Sequence, residues 1–153
     1  MRKLLVAAAL AATCAAMPAY AATDAECTAM WKKADVNNDG VLTDTESMRY
    51  AAAMRVREAK MPVDGKLTQA AFVEACKADV YTMAKADAGA PLKGSNSFTE
   101  AQAKDRAIAR GASGVSALTK DTDGIWRGTA QVDGKSSNVA VDYKGNVVFT
   151  AAQ

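Results

Sequence analysis

Residues 35–46 read DVNNDGVLTDTE, and the fold is predicted from this stretch. Side chains that offer oxygen stand at alternate positions at its start, namely Asp35, Asn37 and Asp39. Gly40 follows them and permits a sharp reversal, because a positive φ costs glycine almost nothing. Calcium is a hard cation that takes six to eight oxygens at about 2.3–2.6 Å, so a loop that wraps around it must offer oxygens in this alternating manner. The stretch therefore predicts a calcium-binding loop.

The flanks of this loop predict helices. Before it, apolar residues recur at helical spacing: Cys27, Met30, Trp31 and Ala34. After it, Thr43 and Glu46 form T-x-x-E, which predicts a capping box at the start of the next helix. We expect one helix to enter the loop and another to leave it.

The stretch resembles the twelve-residue loop of the EF-hand family. The resemblance implies one Ca²⁺ ion held by side chains, by one backbone carbonyl, that of residue 41, and by a closing glutamate that uses both oxygens. The implied ligands are Asp35, Asn37, Asp39, Val41, Thr43 (directly or through a water) and Glu46. We expect modest affinity, because the set has three carboxylates and one amide. The alternative is an acidic turn that binds nothing, since Asn-Asp and Asp-Gly pairs mark turns in any case.

Residues 62–68 read PVDGKLT and resemble the middle of a second loop of the same family. With Gly65 in the place of the loop glycine, Lys60 and Ala71 take the first and last ligand positions, and neither supplies a carboxylate. We expect this second loop to hold no metal. An unrelated helical turn, or weak binding through Glu74, is the alternative.

The second loop predicts how the helical half is assembled. We expect one helix over residues 44–60 to serve both loops and a last helix over residues 68–83. Leu67 should form a short two-stranded contact with Leu42, which ties the two loops together.

Residues 1–21 have the pattern of a cleavable secretory signal. Two basic residues precede an apolar run over residues 4–16, which is shorter than the roughly 20 residues that span a bilayer, and Ala-Tyr-Ala at 19–21 suits cleavage. The residues before Cys14 fit lipid attachment poorly. Cleavage would remove two basic residues and reduce the formal net charge from +2 to zero, so charge gives no argument for a nucleic acid or membrane partner. We expect a periplasmic or secreted protein.

Cys27 and Cys76 remain after such cleavage, in a compartment that oxidises thiols. We expect a disulfide between them that joins the first and last helices of the calcium module. Two separately buried thiols are the alternative.

The C-terminal part has a different pattern. Residues 85–97 lack periodicity and read as a linker, so we expect a calcium module over 22–87, a linker over 88–96 and a second domain over 97–153. There we expect a helix over 98–110 and strands over 115–119, 125–132, 137–143 and 146–149, separated by turns at Asp123-Gly124, Asp133-Gly134 and 144–146. The predicted class is α+β: an all-α pair of calcium hands joined to a small domain in which a helix packs on an antiparallel sheet.

Residues 97–150 look like the PepSY-like domains of bacterial secreted and periplasmic proteins. The resemblance is carried by F-T-E-x-Q-A, G-V-S-x-L-x-K, D-G-I-W-R-G and D-x-x-G-N-V-V. It implies a protein-binding or protease-inhibiting role and brings no catalytic residues. Trp126 and Tyr143 are candidate contacts with an exported protein partner if they are exposed, although the alternation around Trp126 favours the core.

The sequence argues against an enzyme. It contains no histidine, the commonest general base. Ser113 and Ser116 lie near glycines but lack the spacing of a nucleophile elbow. Residues 121–124 imitate a calcium loop, yet Val132 stands where the closing glutamate would be, so a plain turn is expected. Two hypotheses remain: an exported calcium-binding protein, as sensor or as ion-stabilised fold, and an interaction module with the calcium loop as accessory.

Overall fold

The structure is a computed structural model that describes residues 22–81 and 89–152. Within them lie four helices and two antiparallel sheets, so the predicted α+β class is confirmed. The predicted signal (1–21) and Met83 lie outside these residues. The helices are α1 (Asp24–Ala34), α2 (Asp44–Val56), α3 (Gln69–Lys77) and α4 (Glu100–Ala109). The strands are β1 (Val41–Leu42), β2 (Leu67–Thr68), β3 (Ala112–Ser113), β4 (Thr119–Lys120), β5 (Trp126–Val132), β6 (Lys135–Val141) and β7 (Val147–Ala151).

Both helices after the first loop end earlier than predicted. Glu58 has a φ of +54°, and the Ala59 N–H donates to the Met54 carbonyl, so the chain leaves α2 in a left-handed turn. Asp79 ends α3 in the same way, with a φ of +57° and a bond from Val80 back to the Ala75 carbonyl. The predicted extensions to residues 60 and 83 were therefore wrong for the described residues.

The helical half holds the predicted short sheet and cross-link. Leu42 of β1 lies opposite Leu67 of β2, as predicted. The sulfurs of Cys27 and Cys76 are 2.05 Å apart, which is a disulfide and confirms that pairing. The bond joins α1 to α3, and both cysteines are fully buried. Among the described residues, no helix has the length and apolar character needed to cross a membrane.

The second sheet has the order β3-β5-β6-β7, with β4 also paired to β5. Asp133 and Gly134 both have positive φ, as a tight hairpin turn between β5 and β6 requires. The predicted strand over 115–119 is interrupted, because residues 115–118 cross over Gly128. A Cβ at Gly128 would lie 2.6 Å from Leu118 Cδ2, so only glycine permits that crossing.

Helix α4 covers one face of this sheet. Ala103 and Ala107 are fully buried there against β6 and β7, in a core that includes Val139, Val141 and Val147. The other side of α4 contacts α2, and this is the most extensive contact between two helices in the described residues. The helix therefore lies between the sheet and the helical half.

Residues 92–98 have no regular structure, yet they are bonded to the sheet half. Gly94 donates to the Asp123 carbonyl, and Asn96 is buried and donates to the Val141 carbonyl. This part of the predicted linker is held along the sheet.

Candidate metal centre

The loop begins where α1 ends. Asp35 terminates α1, its N–H donating to the Trp31 carbonyl, and its side chain is almost completely buried. One carboxylate oxygen, Oδ2, accepts the Gly40 N–H at 3.2 Å across the loop. Gly40 has a φ of +82° and Asn38 one of +57°, so the backbone turns back at both residues. The loop thus curls around its first acid.

Glu46 reaches back into the loop from the first turn of α2. Its Oε1 accepts the N–H groups of Val36 at 3.0 Å and Asn37 at 3.3 Å. Thr43 occupies the N-cap position, but its side chain makes no capping hydrogen bond. The predicted capping box was therefore wrong, because the Glu46 carboxylate is engaged with the loop instead of with the cap.

Two buried carboxylate oxygens in this loop have no partner. They are Oδ1 of Asp35 and Oε2 of Glu46, and they are the buried side-chain polar atoms without a hydrogen bond in the described residues. A buried acceptor left unpaired costs about 1–3 kcal/mol, and more when it is charged. A cation bound to either oxygen would remove that cost, so these two atoms are candidate metal ligands.

Asn37 and Asp39 lie on the exposed side of the loop. Asn37 Oδ1 accepts the Asp39 N–H, and Asn37 Nδ2 donates to Asp39 Oδ2, both at 3.0 Å. Asp39 Oδ1 accepts the Val41 N–H at 2.9 Å. These bonds curve the loop from within, and each oxygen keeps a second lone pair for another partner.

The acids are not gathered at one point. In residues 22–81 and 89–152, no three or more His, Cys, Asp or Glu side chains form a group that could hold a metal ion. Of the six predicted ligands, the structure brings Asp35 and Glu46 inward, leaves Asn37 and Asp39 bonded to each other, and puts Val41 in β1 and Thr43 at the N-cap. All six supply oxygen, the donor that calcium prefers, so the set fits that ion chemically.

The second loop is held by its own backbone. The Gly65 N–H donates to the Pro62 carbonyl, and Asp64 accepts the Lys66 N–H at 3.1 Å. Gly65 has a φ of +71°, so the backbone turns back at this residue. The only acid of this loop is therefore already used in a local turn.

A cluster of aromatic side chains packs in the same core as the short strands of the two loops. Phe72 contacts Trp31, Tyr50 and Tyr81, with ring centroids 4.7–5.4 Å apart. Burial raises the pKa of Tyr50 and of Tyr81 above the usual tyrosine value. Both hydroxyls therefore stay protonated at neutral pH, and the Tyr81 hydroxyl donates to the Met54 sulfur.

The residues singled out in the second domain have structural partners. Trp126 is partly buried and donates from Nε1 to the Phe98 carbonyl, which agrees with the core alternative. Tyr143 is 37% exposed and lies against Gly94. Ser116 bonds across to Thr129, and Ser113 donates to the Gln131 carbonyl.

Asp121 belongs to a plain turn, as predicted. Its Oδ1 accepts the N–H groups of Ile125 and Asp123, and Oδ2 accepts the Arg127 side chain at 2.6 Å. The Ile125 bond, followed by that of Arg127, lowers the pKa of Asp121. Its carboxylate is thus fully engaged within the turn.

Sequence reasoning missed the importance of Asp142. This fully buried acid accepts four hydrogen bonds, from the N–H groups of Leu92, Lys144 and Asn146 and from the Asn146 side chain. Burial by itself raises its pKa, but these bonds outweigh burial and the pKa is lowered. The motif D-x-x-G-N contained the signal, since an aspartate three residues before a turn glycine often accepts turn N–H groups.

Comparison of the chain with protein-family models, with curated proteins and with solved structures gave no match. The EF-hand and PepSY-like resemblances, and the protein-binding role implied by the second, therefore stay predictions.

Proposed function

We propose that this chain is an exported calcium-binding protein that holds one Ca²⁺ ion in the loop over residues 35–46. The observation that carries the proposal is the pair of buried, unpartnered oxygens, Asp35 Oδ1 and Glu46 Oε2, at the two ends of one loop. They belong to residues that the EF-hand resemblance puts first and last among the ligands. Export agrees with the disulfide, since such bonds persist mainly in oxidising compartments.

The bound ion would supply positive charge and coordination to oxygens that otherwise lack partners. Asp35 is held toward the loop centre by Gly40, and Glu46 by the backbone of residues 36 and 37. These contacts orient the first and last ligands before an ion arrives, so less ordering remains to be done on binding. Asn37 and Asp39 would exchange part of their mutual bonding for the ion.

The second loop takes no ion in this proposal. It has Lys60 and Ala71 at the ligand positions where carboxylates are needed, and Asp64 already accepts a backbone N–H. Its contribution is the strand pairing of Leu67 with Leu42, which holds the first loop in place.

Calorimetric titration of residues 22–153 with CaCl₂ tests the proposal. We expect one site per chain, lost in Glu46→Gln, which keeps the shape of the side chain but removes its charge. Asp64→Asn in the second loop is the matched control and should titrate like the parent chain. Two equal sites would contradict the reading of the second loop. Absence of heat and of any thermal shift at millimolar CaCl₂ would overturn the calcium assignment itself.

A sensor and an ion-stabilised fold differ in what calcium changes. An ion that binds only the folded state raises stability by about 2.7 kcal/mol at 100 times its Kd without any change of shape. A sensor also alters the exposed apolar area of residues 22–81. The change in heat capacity on calcium binding, measured from titrations at several temperatures, distinguishes the two.

A further inference from the structure

Helix α4 has two buried faces that belong to different cores. Ala103 and Ala107 are buried against the second sheet. Ala109 is also fully buried, but it belongs to the core of the helical half, and Ile108 packs against that core as well. The C-terminal turn of α4 is therefore an inserted part of the calcium module.

The surface that receives this turn lies on α1, α2 and the residues that follow α3. Ala109 lines one small cavity together with Met30, Arg49, Tyr50, Ala53 and Tyr81. Tyr50 and Tyr81 also contact Phe72, at centroid distances of 4.8 and 4.7 Å, and their own centroids are 5.1 Å apart. The aromatic cluster near the calcium loop and the surface that receives α4 therefore share these two side chains.

A bidentate ion pair lies at the edge of the contact between α2 and α4. Arg55 of α2 donates from Nε to Asp105 Oδ2 at 2.8 Å and from Nη2 to Oδ1 at 2.6 Å. The hydrogen bonds that Arg55 donates to the Asp105 carboxylate raise the pKa of Arg55. Two parallel bonds set the angle as well as the distance between the groups, so the pair orients α2 relative to α4.

Helix α2 connects this ion pair to the calcium loop. Glu46 is in its first turn and Arg55 in its last, and its 13 residues form one rod about 20 Å long. The position of the Glu46 carboxylate therefore depends on how the whole helix is held, and α4 is the helix that contacts it most.

We propose that α4 is the binding partner of the calcium module within the same chain. Its docking on α2 holds the Glu46 carboxylate in position for the ion, and an ion in the loop in turn strengthens the docking of the C-terminal domain. This proposal rests on the calcium site proposed above. Because coupling between two sites is reciprocal, complete undocking of α4 must weaken calcium binding by the same factor by which calcium strengthens the docking. The calcium module and the C-terminal domain then respond to calcium as one unit.

The first test is a calcium titration of residues 22–153, which are the chain without the predicted signal. Arg55→Met and Asp105→Asn should each raise the apparent calcium Kd by about two- to fivefold, the size expected of a partly exposed ion pair. The double variant should bind no more weakly than the weaker single variant, because both changes remove one interaction. Lys104→Met is the control: it removes an ion pair with Glu100 within α4 and should leave the Kd unchanged.

The second test measures whether calcium stabilises the end of α4 that packs on the calcium module. Amide hydrogen exchange at residues 108–110, in the turn of α4 that enters the module, should slow at least about threefold with saturating CaCl₂. Glu46→Gln should abolish that slowing, and Arg55→Met should reduce it.

The outcomes separate the two proposals. If the parent chain binds calcium but the Arg55 and Asp105 variants keep its Kd and exchange at 108–110 is unchanged, the coupling is refuted and the calcium site stands. If the variants bind calcium more tightly, docking opposes the ion and the coupling as stated is equally refuted. If the parent chain binds no calcium, both proposals fall.

Discussion

The disulfide is expected to contribute more to stability than any other single bond in the helical half. Cys27 and Cys76 are separated by 49 residues in sequence, and both are buried. A cross-link that closes a loop of this length lowers the entropy of the unfolded chain enough to stabilise the fold by about 4 kcal/mol at 25 °C. In the chain-entropy model, this effect lies in the unfolded state.

The corresponding change in melting temperature follows from chain length. About 130 residues give an unfolding entropy near 0.27 kcal/mol/K, so a loss of about 4 kcal/mol lowers the Tm by roughly 15 °C. We expect that drop when the calcium-free chain is reduced, measured by circular dichroism with and without dithiothreitol. The change should be smaller if the reduced ensemble stays compact, because the cross-link then removes less freedom.

A double variant, Cys27→Ala with Cys76→Ala, separates the cross-link from packing. It should not respond to reductant, and it should melt slightly below the reduced parent chain because two buried sulfurs are missing. If the fully reduced parent chain, with free thiols verified by alkylation, melts within about 3 °C of the oxidised chain, the loop-closure reasoning is wrong.

Two further predictions concern the C-terminal half. Asp142→Asn should lose about 2 kcal/mol in urea unfolding at pH 7, because an amide accepts fewer of the four hydrogen bonds, including that from Leu92. Since the folded pKa of Asp142 is lowered, its contribution to stability is present above the ordinary aspartate pKa of about 3.9 and is lost as pH falls through the folded value. Asp142→Asn should therefore reduce the loss of stability on acidification below about pH 5, and an unchanged acid-induced loss would contradict this. Gly124→Ala should destabilise well beyond Gly134→Ala in thermal melts. Both glycines have positive φ, but a Cβ at Gly124 would lie 1.9 Å from the Gly94 carbonyl oxygen and one at Gly134 would meet nothing within 4 Å; equal losses would contradict the close approach.

The sequence predicts those features whose chemistry is local. The turn at Asp133-Gly134 needs two positive φ values, and its residue types state that need directly. The opposition of Leu42 and Leu67 follows from two loop patterns of the same kind. The disulfide follows from there being two cysteines beyond the predicted signal. Each of these features depends on a short local sequence pattern or on the number of cysteines.

The helix ends were mispredicted because they lack the usual signal. Glu58 and Asp79 adopt left-handed conformations that glycine would normally occupy, at a cost of roughly 1–2 kcal/mol each. The residues that follow them offset this cost: Val80 is buried, and Ala59 packs against the helical core. Such an ending is decided by tertiary burial, which the local sequence does not record.

The geometry of the candidate site is ambiguous in sequence for a related reason. A glutamate three residues after a threonine suits a capping box, and a glutamate at the end of a calcium loop suits a ligand. Both descriptions apply to Glu46, but one carboxylate cannot reach both the N-cap backbone and residues 36 and 37. The bonds from residues 36 and 37 to Oε1 and the burial of Oε2 decide in favour of the loop, and both exist only once the loop has folded.

The role of α4 could not be derived from sequence at all, because nothing marks Ala109 as different from the other alanines of that helix. Its significance comes from what the helical half lacks. Since α2 borders both loops, the helical half has three helices where a pair of calcium hands would have four. The aromatic side chains at Tyr50 and Tyr81 would then lie open to solvent on one side. The C-terminal turn of α4 covers that side, so the core of the helical half is completed by a helix that also covers the second sheet.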